Sequence, residues 1–341
     1  MMTKELIGGE HYALKKNNKK LSIIMNDGIF FNTGRASLYY LINKIKDYDK
    51  IYVPSYSCES FKSVIINKKK IIYYDIDKNF FPILKKKIKN SIIIVIDYFG
   101  KKTNFKNYTD NHIIHDISHS WMNYNKINNK KNYFYFASLR KFGIYNLGGW
   151  CNSIPSNKSL LISKNNLGKD LYRLRNEKYN FIKKNMLAEN ITKQNYFINQ
   201  FNKMETKIIK DRMIISKSNI SSITNLSFSK IIKIRKKNYN YLNNKINPKN
   251  IIKLNLKAND VPVFFLIKFL NEHTRDKIRI FLKTNNIFCP IHWRSKYTKF
   301  YNSNELSKKI LSIPIDQRYN ITDMYYILSI LKKYDQSLLK I

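Results

Sequence analysis

The sequence predicts an α/β protein in two parts: a large domain on a mostly parallel sheet, and a small C-terminal α+β domain. Three observations predict it. Short apolar runs alternate with helix-length segments through residues 30–155, the spacing of parallel strands joined by helical crossovers. From about 156 to 255 the chain turns to long helical periodicity, and from about 257 strand-like and helix-like runs alternate again. Finally, 341 residues divide naturally into a domain of roughly 200–250 residues and a smaller one. We place the large domain, with its helical extension, at 1–250 and the small one at 251–341.

Along the chain, Ser37–Ile45 carries apolar residues at helical spacing, and Lys50–Val53 is a short strand ended by Pro54. Ser60–Ile66 reads as a helix. Lys70–Asp75, Ile92–Asp97, His112–Ile117 and Tyr133–Ala137 read as strands. Downstream, Leu171–Ile182 and Phe228–Leu242 are helices whose regular isoleucine and aromatic positions set them apart from low-complexity disorder. Val261–Phe269 reads as a strand, Thr274–Lys283 as a helix, Ile287–Trp293 as a strand and Thr322–Lys333 as a final helix. In a parallel sheet the ligand sits at the carboxyl ends of the strands. Polar clusters at those ends are therefore the candidates.

Composition narrows the class. The formal charge of +40 invites a nucleic-acid reading, but such proteins concentrate charge on one face or tail. Here lysine, asparagine and isoleucine are over-used everywhere, strands included, as an AT-rich coding sequence produces; the excess charge still attracts anionic substrates. No apolar run approaches the ~18 residues needed to span a bilayer, and the N-terminus carries no apolar signal segment. A cytoplasmic protein is expected. Cys58, Cys151 and Cys289 lie far apart, which argues against a disulfide framework or a thiolate metal site.

Four clusters carry chemistry. Asn32-Thr33-Gly34-Arg35-Ala36-Ser37 precedes a helix, where exposed N–H groups and the helix dipole attract a phosphate and Arg35 adds a fork of donors; an ordinary N-cap reads the same way. Asp97-Tyr98-Phe99-Gly100 ends a strand. His115-Asp116-Ile117-Ser118-His119 ends another, and its histidines lack the partners or spacing of a zinc site. The fourth is Phe136-Ala137-Ser138-Leu139-Arg140-Lys141, followed by Gly148-Gly149. A lysine between a strand and a turn can sit in a partly apolar pocket with a lowered pKa, as a Schiff-base amine requires.

In order, these clusters resemble the DegT/StrS-like sugar aminotransferases, which depend on pyridoxal phosphate (PLP). Gly34-Arg35-Ala36-Ser37-Leu38 is similar to the family's S-G-T-x-A-L segment, and Pro54-Ser55-Tyr56-Ser57 to its P-S-x-T. Tyr98-Phe99-Gly100 is similar to its Y/F-G strand end. Asp116 and His119 fall on E-D-x-A-[HQ], and Lys141 with Gly148-Gly149 on K…G-G. Arg235–Leu242 is similar to R-x-x-N-Y-x-x-L, Gly8-Gly9 to the family's opening, and Ile291-His292-Trp293 and Leu311–Asp316 to its ending. The resemblance implies fold type I and a homodimer. It implies that Lys141 holds the cofactor and moves the proton, that Asp116 pairs with the pyridinium nitrogen, and that His119 lies beside the ring. Gly34, Arg35, Ala36 and Ser138 are expected near the phosphate, Ser57 elsewhere at the cofactor, and Tyr98, Arg140, His292 and Arg294 near the substrate.

The chain departs from the pattern in several places. Arg35 replaces a threonine, and Cys58 replaces the aromatic that follows P-S-x-T. Phe136 stands where a serine is usual, five residues before the lysine, and no G-x-N-x-R segment is found near Arg173–Tyr179. The expected reaction moves an amino group, from glutamate or a similar donor, to a keto group on a nucleotide-activated sugar in surface-glycan synthesis. A small keto acid or phosphorylated ketone is the alternative substrate. A basic non-enzymatic nucleic-acid-binding protein is the alternative of another class.

Overall fold

In a computed structural model, the chain is described at residues 6–9, 167–183, 191–215, 226–293 and 299–339, and over 28–153 except 86, 106, 107, 125, 126, 128, 129 and 146. Twelve strands appear among these residues: β1 Ile7–Gly8, β2 Ile29–Phe31, β3 Lys50–Pro54, β4 Ile71–Ile76, β5 Pro82–Ile83, β6 Ser91–Ile96, β7 His112–Asp116, β8 Tyr133–Ser138, β9 Gly149–Cys151, β10 Phe264–Lys268, β11 Ile287–Phe288 and β12 Ile310–Pro314. Eight of them form the main sheet, in the order β2-β9-β8-β7-β6-β3-β4-β5. The five central strands β8, β7, β6, β3 and β4 pair in parallel, and β9, β2 and β5 add antiparallel partners at the two sides. Every residue of Ser91–Ile96 is buried, as a central parallel strand covered on both faces requires.

Helix α1 (Gly34–Lys44) starts where Thr33 accepts the Ala36 N–H at 3.0 Å, and buries Leu38, Leu41 and Ile42 against the sheet. The short α2 (Ser60–Val64) follows β3, and α3 (Leu167–Lys183) packs on α4 (Ile191–Lys210) through Leu171, Leu174, Phe197 and Met204. Next comes α5 (Phe228–Lys245), capped by Ser227. The last three helices are α6 (Glu272–Thr284), α7 (Tyr301–Lys309) and α8 (Ile321–Tyr334), the last opened by a capping box between Asn320 and Asp323.

A second core gathers Phe265, Ile267, Ile278, Leu282, Leu311, Ile313, Met324 and Leu331, together with Leu242 and Ile246 at the end of α5. Around it β10 pairs antiparallel with β12, and β1 pairs in parallel with β11. The expected strand over Ile287–Trp293 is cut to Ile287–Phe288. Pro290 lacks an N–H and stops the ladder, so His292 and Trp293 lie in a loop. Pro262 likewise delays β10 to Phe264.

Candidate active site

The carboxyl ends of the parallel strands converge on one cavity. Its walls include Thr33, Gly34 and Arg35 at the start of α1, Cys58, Ser60 and Phe61 after β3, Asp97 after β6, and Asp116, Ser118 and His119 at the end of β7. Phe136, Ser138, Arg140 and Lys141 come from β8 and the turn that follows, and Trp293 from the loop after β11. Parallel strands all end on the same edge, so residues far apart in sequence meet there.

Two glycines make the approach possible. A Cβ on Gly149 would lie 2.0 Å from the Thr33 carbonyl oxygen, and one on Gly34 would lie 2.7 Å from Ser138 Cβ. The start of α1 is thus pressed against the end of β8 and the start of β9. Gly149→Ala is expected to cost about 1–3 kcal/mol of stability by overpacking, which denaturant melts check.

The turn Leu139–Phe142 that carries Lys141 is clamped from below. Arg235, fully buried, donates to the carbonyls of Phe142 (2.8 Å), Val263 (3.2 Å) and Pro262 (3.3 Å), and to Gln317 Oε1 (2.9 Å). Gln317 in turn donates to Phe142 and Gly143 at 2.9 and 3.0 Å. Arg235→Met leaves the Pro262 and Val263 carbonyls and Gln317 Oε1 without this buried donor, and an expected loss of about 3 kcal/mol is read by chemical denaturation.

Electrostatics divide the site. Burial raises the Asp116 carboxyl to about 6, although the Ser118 N–H at 2.8 Å and the Lys141 charge oppose the shift. Burial would raise Asp97 too, but the His115 ring at 2.7 Å, Ser120 and the Thr103 N–H outweigh it and hold that carboxyl below its usual range. Burial, helped by the Lys141 charge, pushes His119 well below the ordinary range and His292 down to about 3, so both rings are neutral at pH 7.

The sequence-derived residues fall as follows. Lys141, Asp116, His119, Gly34, Arg35, Ser138 and Arg140 meet in the cavity. Ala36 gives its N–H to the cap, and Ser57 turns its hydroxyl to the Pro54 carbonyl at 2.7 Å while its neighbour Cys58 lines the wall. Tyr98 is buried and donates to the Tyr56 carbonyl at 2.6 Å; Asp97 before it reaches the cavity. His292 lines an adjoining cavity of about 330 Å³. Arg294 lies outside the described residues. Among the described residues there is no cluster of three His, Cys, Asp or Glu side chains able to hold a metal, and no helix long and apolar enough to cross a membrane.

Of the walls of that adjoining cavity, the sequence pointed to Arg140, Lys141, His119 and His292 but not to Arg279, Lys283 or Arg318. The cavity shares Lys141, Arg140 and His119 with the first, and adds Arg279 and Lys283 from one face of α6, Arg318 and the Gly8-Gly9 backbone. Asp316 is the carboxylate there, and Arg318 holds it at 2.6 and 2.8 Å. The four-residue spacing of Arg279 and Lys283 was the available signal, lost among the many lysines.

No family model and no curated protein matches the chain. Solved structures do. A DegT DnrJ EryC1 StrS aminotransferase from Brucella abortus superposes with a TM-score of 0.55 at 14% identity, covering 91% of this chain and 86% of that one. Helicobacter pylori PseC, an aminotransferase of pseudoaminic acid biosynthesis, matches at 0.55 and 14%, covering 90% and 86%. Bacillus subtilis NtdA with bound cofactor PMP matches at 0.53 and 12%, covering 91% and 73%. With its parallel sheet, its strand-end cavity and these likenesses, the chain has the fold of the DegT/DnrJ/EryC1/StrS aminotransferases.

Proposed function

We propose that the chain is a PLP-dependent aminotransferase that passes an amino group from an amino acid, glutamate in the first instance, to the keto group of a nucleotide-activated sugar in surface-glycan synthesis. The observation that carries this reading is the meeting of Lys141 and Asp116 in one strand-end cavity that also holds the start of α1.

The residues fit the cofactor. Arg35 pairs with Glu205 on α4, yet its buried Nε has no partner, a donor left over at the helix start where a phosphate binds. The Asp116 carboxyl, raised by burial, gains most from a cationic partner. When bound, PLP supplies an electron sink for the pair left at the amino acid's Cα. Asp116 would hold the ring nitrogen and keep it protonated. Neutral His119 adds no competing positive charge. The Lys141 amine carries the proton at the reacting carbon, steadied by the Arg235–Gln317 clamp beneath its turn.

Arg140, Arg279, Lys283 and Arg318 give the adjoining cavity an excess of positive charge over Asp316, which favours a substrate with phosphates. The same wall suits a phosphorylated ketone, the second reading. The protein works as a homodimer in the cytoplasm on this proposal. The test is a visible absorption band on adding PLP, absent in Lys141→Ala and bleached by glutamate; nucleotide-linked keto sugars are then set against phosphorylated ketones as acceptors. A wild type that forms no band sinks the proposal.

A further inference from the structure

We infer that Trp293 is a cofactor-contacting residue: its indole is the flat aromatic wall of the Lys141 cavity and binds the pyridine ring face to face. The inference rests on the aminotransferase reading and adds a residue to it.

Trp293 lies in the loop after β11 and lines the cavity shared by Lys141 and Asp116. Its plane is fixed from two directions. The rings of His119 and Phe99 run nearly parallel to it, at 5.7 Å and 14° and at 5.9 Å and 22°. Tyr56 and Tyr98 meet it edge-on, at 5.5 and 6.0 Å. Its loop is pinned as well: the Tyr56 hydroxyl donates to the His292 carbonyl, and the His292 ring pairs with Ser312 at 2.9 Å. Phe99 itself is held at φ 53°, which a bulky residue adopts only when its surroundings impose it.

Among the other aromatic walls, the His119 ring is smaller and 3% exposed. Cys58 and Ser60 are small. Phe61 and Phe136 are 4% exposed and locked edge-to-face with each other at 76°. Trp293 is half-buried and lines the cavity beside Lys141 and Asp116. A pyridinium held protonated by Asp116 is a flat cation, and indole attracts such a cation more strongly than other aromatic side chains do.

The experiment uses pyridoxamine 5′-phosphate, which forms no linkage to Lys141, with inorganic phosphate as a competing probe. Affinities are measured by calorimetry for the wild type, Trp293→Leu and Trp293→Phe. Trp293→Leu is expected to bind pyridoxamine phosphate about tenfold more weakly, and Trp293→Phe less than that, with phosphate affinity unchanged in both. In the wild type the ligand quenches emission that Trp293→Phe lacks, while the buried Trp121 and Trp150 stay as internal references. Wild-type affinity in Trp293→Leu overturns the inference, as does a parallel loss of both ligands, which marks a purely structural residue. If the wild type binds no pyridoxamine phosphate, the aminotransferase reading fails and this inference with it.

Discussion

Lys141→Ala is expected to lower the half-reaction with glutamate by at least 10²–10⁴-fold, the typical worth of one positioned proton-transfer group. The fold should survive the change. The backbone of the Leu139–Phe142 turn is held by Arg235 and Gln317 through carbonyl groups that alanine leaves in place, and Gly143 closes it in the left-handed region at φ 65°. Single-turnover kinetics beside a denaturant melt separate the two effects. An unchanged melt with a collapsed rate assigns the chemistry to the Lys141 amine; a rate within a few fold of wild type removes Lys141 from the mechanism.

Asp116→Asn is expected to act in opposite directions on stability and on cofactor binding. Burial lifts this carboxyl from 3.8 to about 6, so the folded state resists its ionisation more than the unfolded chain does. At pH 7 the group is ionised in both states, and the raised folded-state pKa costs about 3 kcal/mol of stability there. That cost shrinks as pH falls through 6 and is gone below 3.8. The Asn variant without cofactor should therefore be the more stable protein at pH 7 by up to about 3 kcal/mol, and the difference should vanish near pH 4. Its amide oxygen can still accept from Ser118. Cofactor affinity should fall on the order of 10–100-fold, the worth of a charged hydrogen bond. Urea melts at pH 4, 5.5 and 7 test the first half and a cofactor titration the second. If wild type and variant keep the same stability difference at every pH, the buried carboxylate is not the source.

Stability given up at one carboxylate is consistent with a site shaped for a cationic ligand, and the neighbouring Asp97 shows the contrast. It is as deeply buried, yet Ser120, Tyr124, His115 and the Thr103 N–H satisfy it within the protein. Asp116, which lines the same cavity, has the Ser118 N–H at its Oδ1. Sequence position alone gives both residues the same description, an acid at a strand end.

What the sequence determined by itself is whatever depends on local periodicity and on one-dimensional order. The five parallel strands, helices such as α5, α6 and α8, and the strand-end positions of Asp116 and Lys141 all follow from apolar spacing and turn residues, because those signals act within a few residues of where they are read. Gly34 and Gly149 announced themselves as glycines. Only the tertiary structure shows that one is pressed on Ser138 and the other on Thr33. It also decided that Pro290 frees Trp293 from a strand into the cavity, that Asp97 rather than Tyr98 faces that cavity, and that Arg279 and Lys283 meet Arg140 beside Lys141. The two glycine contacts and the gathering of Arg279, Lys283 and Arg140 join segments more than a hundred residues apart. In a chain with 63 lysines and arginines, no local pattern marks which cations will share one wall.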